Sequence, residues 1–343
     1  MGFLLFLNHP QVRKQRPVLW YDRAVKGERA MYITTVTVNP CIDRTIQVDR
    51  VTPGHSHRIQ KTLCSFRGKG INVSLALNQI EQPVKTVCLC HSDGEANNFF
   101  KENRLNSLLI PVPGKVRVNI KLFEQDSGRM TEFNEKGEPI ELATVDKVLL
   151  AVNSILPTTA LLVLAGSVPP GFPDTFYYEL GMVAQEAGVP FLLDASGELM
   201  RQGMKASPLL IKPNEEEFLA TFGIQPAVTE EFCRVYRDML DRHGITYGAV
   251  SMGEKGALLV TPTEAWFSGP VKINVQGVQG AGDSMVAGFA AVLAKGNPSG
   301  EEMLRTAVAC AHASLELPGT QMCTMEGLQR RLPLTPVTRL CTL

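Results

Sequence analysis

Leu161-Leu162-Val163-Leu164-Ala165-Gly166-Ser167-Val168-Pro169-Pro170-Gly171 is the run that sets the architecture of this 343-residue chain. Five consecutive apolar residues without polar alternation read as a strand covered on both faces. The glycines and prolines of 166–171 then stop it. Outward from there, helical and buried-strand patterns alternate. Residues 173–187 read as a helix, 190–194 and 209–212 as strands, 215–222 and 229–243 as helices, and 248–251 as a strand. Residues 256–260 and 265–267 read as a hairpin. Such alternation means a mostly parallel sheet between two helical layers, an α/β fold. Ligands of such sheets collect at the carboxyl ends of the strands. Asn39, Ser167, Asp194, Lys212 and Ser251 all fall at such ends, which predicts one shared crevice.

Toward the N-terminus the pattern is mixed. Residues 32–38 form a β-branched strand ending at Asn39-Pro40, and 84–90 form a second buried strand, followed by a helix over 94–105. Residues 45–49, 57–65, 116–122 and 130–133 instead alternate polar with apolar, and Asp126-Ser127-Gly128 supplies hairpin chemistry. These wetter strands predict a separate small sheet.

Composition excludes some classes. With 44% hydrophobic residues the chain can bury an ample core, and 34 basic residues balance 34 acidic ones. Zero net charge argues against a nucleic-acid or anionic-membrane surface. No apolar run is long enough for a membrane span. Residues 3–7 glance at a signal peptide, but the apolar part is short, no basic residue precedes it and no small-residue cleavage site follows. Residues 1–30 are therefore expected to be an irregular extension, and 331–343 a C-terminal tail. Eight scattered cysteines without C-x-x-C spacing read as reduced thiols of a cytoplasmic protein.

The most telling chemistry lies in the run from Val275 through Gly280-Ala281-Gly282-Asp283 to Ala290. It reads as strand, tight turn and helix, with bare backbone N–H groups and a carboxylate on the first turn. Such a helix start binds anions, while Asp283 beside it can take a proton; the alternative is a simple acidic cap. Neither a dinucleotide fingerprint nor a Walker loop is present. Lys69 between two glycines suits an anionic ligand or is a plain turn lysine. Arg117 and Asn119 share one strand face, with Lys121 behind them, suited to a phosphate or to a solvated edge. Asn214 and Glu217 share a helix face at which Glu217 can hold hydrated Mg²⁺ or complete a capping box. His55-x-His57 and Cys88-x-Cys90 lack the further ligands a zinc site needs.

Six motifs now stand in order: Asn39-Pro40-Cys41-Ile42-Asp43, Gly68-Lys69-Gly70-Ile71-Asn72-Val73, Arg117-x-Asn119, residues 165–171, Lys212-Pro213-Asn214-x-x-Glu217, and residues 280–283. Together they resemble the PfkB (ribokinase-like) sugar kinases, phosphosugar branch, across residues 32–320. The resemblance implies a three-layer core over residues 31–330, with lid strands roughly at 44–66 and 115–134 and a homodimer formed through the lid. It implies Asp283 as catalytic base and the amides of Gly280, Ala281 and Gly282 as an anion hole. Asp43, Gly68, Lys69 and Asn72 then bind the sugar, and Arg117 holds its phosphate with Asn119 and Ser167 nearby. Lys212, Asn214, Ser251, Gly253 and Gly256 are implied ATP contacts, and Glu217 is associated with Mg²⁺. The implied reaction is ATP-dependent conversion of D-fructose 1-phosphate to fructose 1,6-bisphosphate. Tagatose 6-phosphate and fructose 6-phosphate are alternative substrates, and a non-catalytic sugar-phosphate-binding regulator is an alternative class. The chain departs from the family pattern at Arg67, where a glycine is common, at Gly277 and Val278, at residues 90–94, and at Val116.

Overall fold

The computed structural model describes residues 31–92 and 94–343; the expected N-terminal extension lies outside the described residues. In chain order the elements are β1 (Tyr32–Thr37), β2 (Cys41–Val48), β3 (Lys61–Arg67), α1 (Lys69–Gln79), β4 (Val84–His91), α2 (Glu95–Glu102) and β5 (Asn106–Val112). Then come β6 (Arg117–Glu124), β7 (Met130–Asn134), α3 (Ala143–Ile155), β8 (Thr159–Ala165), α4 (Phe176–Glu186), β9 (Phe191–Asp194), α5 (Gly197–Met204) and β10 (Leu210–Ile211). The chain continues with α6 (Glu215–Phe222), α7 (Glu230–Arg242), β11 (Tyr247–Ser251), β12 (Ala257–Val260) and β13 (Glu264–Ser268). It ends with α8 (Ala281–Leu293), α9 (Gly300–Leu315), α10 (Met325–Arg331) and β14 (Thr338–Thr342).

Ten strands form the main sheet in the order β5-β4-β1-β8-β9-β10-β11-β12-β13-β14. From β5 to β11 neighbours run parallel, and β12, β13 and β14 are added antiparallel. All seven residues of β8 are buried. Leu161, Val163 and Ala165 join the core under α1, α2, α8 and α9, while Leu162 and Leu164 join the one under α3, α4, α5, α6 and α7. Successive side chains of a strand face opposite ways, so an all-apolar strand needs both layers.

The order also fixes the site. From β1 the chain first adds β4 and β5 on one side, then returns to add β8 on the other. The crevice beyond the carboxyl ends of β1 and β8 is thus the topological switch point of the sheet. There Asn39 Nδ2, just after β1, donates to Ser167 Oγ, just after β8, at 3.1 Å.

β2, β3, β6 and β7 form the expected small sheet, in the order β3-β2-β6-β7. It rises from the same crevice, because β2 follows β1 after a three-residue turn. Its base is tied down by Phe66, whose ring lies 5.4 Å from that of Phe99 and 6.2 Å from that of Phe100.

Two regions differ from the sequence reading. Residues 275–279 are not a strand. The Gln276 and Gly277 amides bond to Leu315 O, and the Gly277 backbone packs against the carbonyls of Leu317 and Gly319. That contact takes it away from the sheet and leaves Val275 and Val278 exposed. Residues 331–343 are more than a tail, since β14 pairs with β13 and closes the sheet edge.

Candidate active site

Helix α8 starts from Gly280, which sits at φ 81°, ψ −2°, in the left-handed region. Glycine alone adopts this without strain, and a Cβ there would also collide with Met322 Cε. No side chain caps the helix. Its first N–H groups therefore have neither an intrahelical nor a side-chain partner, and they carry the positive end of the helix dipole. Gly282 is exposed and has open space around it.

Asp283, on the first turn, is buried. It does not cap the helix: its Oδ2 accepts a hydrogen bond from Asn72 Nδ2 of α1, at 2.8 Å. Burial raises its pKa to about 6. The charge of Asp194 adds to this, whereas the Lys69 and Lys212 ammonium groups and the Asn72 bond restrain it. A carboxylate poised near neutrality is what a general base needs.

A carboxylate–lysine cluster adjoins it. Lys69 Nζ lies 3.3 Å from Asp194 and 3.4 Å from Glu217, and Lys212 Nζ lies 3.3 Å from the other oxygen of Asp194. Burial alone would lower the Lys69 pKa, but Asp194, Glu217 and Asp283 outweigh it and hold it above its ordinary value. Burial alone would raise that of Asp194, and the two lysines reverse this. Lys212, expected to touch nucleotide, is buried against Asp194 instead. Asn214 and Glu217 form a full capping box at the start of α6: Asn214 Oδ1 accepts from Glu217 N at 2.7 Å, and Glu217 Oε2 from Asn214 N at 2.9 Å. Glu217 Oε1 still faces Lys69 and the cavity.

The other end of the cavity is built by the lid. Asp43 pairs with Lys121 at 2.6 Å and accepts from Asn119 Nδ2 at 3.1 Å. Arg117 donates through Nη1 to Asn119 Oδ1 at 3.1 Å and through Nη2 to Asn39 O at 3.2 Å. Lys121 also donates to Gln279 Oε1 at 2.8 Å, and Gln279 passes the link to Glu132 at 3.1 Å. Cys41, between these groups, is no nucleophile, because burial pushes its thiol up to about 12.

Asp43, Gly68, Lys69, Asn72, Arg117, Asn119, Ser167, Glu217, Gly280 and Asp283 all line one cavity of about 530 Å³. Lys212, Asn214, Ser251, Gly253 and Gly256 do not line it. Asn214 and Ser251 form a parallel bridge to one another, and Gly253 and Gly256 shape the turn after β11. Sequence reasoning left Lys121 and Gln279 out of the site. The spacing 117, 119, 121 on one strand face was the signal for Lys121; Gln279 carried none.

Residues 36–326 match the family model described as pfkB family carbohydrate kinase. The chain belongs to that family. This pfkB kinase is 33% identical over 310 residues to the 1-phosphofructokinase of Bacillus subtilis, covering 90% of this chain and 100% of the relative. It is 32% identical over 302 residues to the 1-phosphofructokinase of Xanthomonas campestris, covering 86% and 94%. Its fold matches that of phosphofructokinase-2 from Escherichia coli in complex with substrates and products, with a TM-score of 0.82, 24% identity, and 89% and 99% of the two chains covered. These matches bear out the resemblance, the three-layer fold with its small second sheet, and the phosphotransferase class. Among the described residues no helix of the kinase is long and apolar enough to cross a membrane.

Proposed function

We propose that this pfkB kinase transfers the γ-phosphoryl group of ATP to D-fructose 1-phosphate, giving fructose 1,6-bisphosphate and ADP. One observation carries the reading: a buried carboxylate with its pKa near 6 stands beside an uncapped helix N-terminus, and the Arg117 guanidinium lines the same cavity. Phosphoryl transfer needs an aligned hydroxyl, a proton acceptor and fixed positive or N–H groups around the moving charge. Asp283 takes the proton of the C6 hydroxyl as that oxygen bonds to the γ-phosphorus. The bond from the γ-phosphorus to the β,γ-bridging oxygen breaks, and ADP leaves. The amides of Gly280, Ala281 and Gly282 hold the equatorial oxygens, while Arg117 anchors the existing phosphate. Asp43, Lys69 and Asn72 surround the sugar side, with Ser167 and Asn119 beside the phosphate. Asn214, Ser251 and the Gly253–Gly256 turn receive the nucleotide, with Lys212 acting through Asp194.

The donor set fits Mg²⁺ carried in on nucleotide phosphates. Among the described residues no three His, Cys, Asp or Glu groups converge, and Mg²⁺ normally takes one or two carboxylates plus phosphate and water. Glu217 Oε1, facing the cavity, is the oxygen available to it. The ion when bound neutralises phosphate charge. A homodimer joined through the lid and a cytoplasmic location complete the proposal.

The test is ADP release with ATP, Mg²⁺ and a panel of fructose 1-phosphate, fructose 6-phosphate and tagatose 6-phosphate. The highest kcat/KM is expected on fructose 1-phosphate. A higher value on tagatose 6-phosphate would reassign the substrate. Binding of a phosphosugar with no ADP release on any would leave the non-catalytic reading standing.

A further inference from the structure

Arg67 is one of the places where this chain departs from its family, and the mechanism above leaves it without work. It ends β3, one residue before the Gly68 N-cap of α1. The sheet register sets it in one row with Cys41 and Arg117: Arg67 opposite Cys41 on β3–β2, and Cys41 opposite Arg117 on β2–β6. Residues directly opposite across neighbouring strands project to the same face. Two guanidinium groups therefore flank the buried Cys41, their Cα atoms about 10 Å apart, which is two strand spacings. Both line the cavity.

Their partners leave both charges open. Among the described residues Arg67 donates only to neutral oxygens, Phe66 O at 3.1 Å, Thr320 Oγ1 at 3.0 Å and Thr320 O at 3.5 Å, and its buried Nε has no partner. Arg117 likewise bonds to Asn39 O, Asn119 Oδ1 and Glu135 O. Among the described residues neither forms an ion pair. The carboxylate between them, Asp43, is already matched by Lys121 at 2.6 Å. The Thr320 and Asn39 bonds brace each guanidinium from the core side, so both are positioned before any ligand arrives. A half-buried arginine held on neutral oxygens stays charged and is suited to a phosphate, which it meets as a fork. The row it shares with Cys41 and Arg117 places Arg67 on the lid side of the cavity.

We propose that Arg67 is a second binding residue for the phosphate that the acceptor sugar already carries, clamping it opposite Arg117 and setting the preference for phosphorylated sugars. This rests on the phosphosugar-kinase reading above. Two cations facing a dianion balance its charge, which a single arginine does not.

The test compares wild type with Arg67→Met, which keeps the stem and removes the charge, and Arg67→Lys, which keeps the charge and removes the fork. Two readouts are taken: KM for fructose 1-phosphate and for ATP, and binding of inorganic phosphate by calorimetry. Arg67→Met is expected to raise KM for fructose 1-phosphate about tenfold to a hundredfold, the range for hydrogen bonds to charged groups, with KM for ATP within about twofold and phosphate binding weakened in parallel. Arg67→Lys should fall between, and it decides the matter if Arg67→Met melts below assay temperature. Unchanged KM for fructose 1-phosphate and unchanged phosphate binding would overturn the proposal, as would an equal rise in KM for sugar and ATP. A wild-type enzyme that turns over no phosphosugar would sink the proposed function instead, and the phosphate-binding comparison would still decide the role of Arg67.

Discussion

Asp283 sits where burial and neighbouring charges pull its proton in opposite directions, and burial wins. With a pKa of about 6 it is mostly ionised at pH 7, so it is available as a base. Protonating it should switch the reaction off: kcat/KM is expected to fall about tenfold per pH unit below pH 6, in a titration of initial rates from pH 5 to 8. Asp283→Asn should keep phosphosugar binding and lower kcat by about 10²–10⁴; near-normal turnover would remove Asp283 as the base. Stability gives an independent check. The folded pKa lies above the ordinary value of 3.8, so folding favours the protonated form, and stability is lost as pH rises from about 4 through 6. The Asn variant lacks that loss, and the orphaned Asn72 Oδ1 can accept from the new amide. Its Tm should exceed that of wild type at pH 8, with the gap closing toward pH 4. From sequence, Asp283 was legible as a carboxylate on an anion-binding turn, but capping remained open. What separates the two is Asn72, 211 residues away, and a local pattern does not report so distant a bond. The face of Lys121 is legible from its spacing with Arg117 and Asn119, but its pairing with Asp43, 78 residues away on another strand, is not.

Among the elements, the turn into α8 is the most sensitive, because three things meet in it. Gly280 supplies the left-handed residue, Met322 covers it from one side, and Gln279 ties it to β6 and β7 of the lid. Gly280→Ala should destabilise the fold by about 1–2 kcal/mol, the cost of an L-residue in that conformation, and the clash with Met322 adds to it. Denaturant unfolding measures the loss, and kcat should drop with it as the N–H groups shift. Gln279→Ala leaves the backbone alone and cuts only the bridge. Lid closure then loses a tether that shields the reacting groups from water. KM for fructose 1-phosphate should rise about threefold to tenfold, and ATP hydrolysis without sugar should increase. If neither moves, the bridge is not used in closure. The expected strand over 275–279 failed here for a physical reason: its apolar residues suggested burial, but the Gly277 backbone packs on the loop after α9 and Val275 and Val278 face outward. Helix α8 itself was readable because every residue from Asp283 to Leu293 is buried. Its small residues also admit close packing, and a Cβ on Gly288 would crowd Ala307 Cα to 2.6 Å.

At the scale of the molecule, the parallel sheet was the most legible feature, since continuous apolar strands between helices allow few other architectures. The lid was legible as a second sheet but not in its order, because β2 pairs in parallel with β6 across two intervening core strands. The apolar anchor of that lid is at its base, Phe66 against Phe99 and Phe100, and polar links through Arg67, Arg117 and Lys121 add to it. Farther out, Ile59, Leu63 and Phe133 are each more than half exposed, and among the described residues no further strand pairs with β3 or β7. A four-stranded sheet with one end on a core and apolar groups at the other gains by covering them, and a second lid offers matching chemistry. Wild type should therefore sediment as a dimer at micromolar concentration. Phe133→Asp, on the face away from the cavity, places a charge in that contact and should yield monomers that keep their far-UV spectrum. Because the lid carries Asp43, Arg117 and Lys121 into the cavity, the monomer should also show a raised KM for fructose 1-phosphate and a nearly unchanged KM for ATP. A wild type that is monomeric with full activity would separate the lid from assembly altogether. A dissociated variant with unaltered kinetics would show that the lid keeps its place over the sugar without a partner, held by the Phe66 cluster and its polar links to the core.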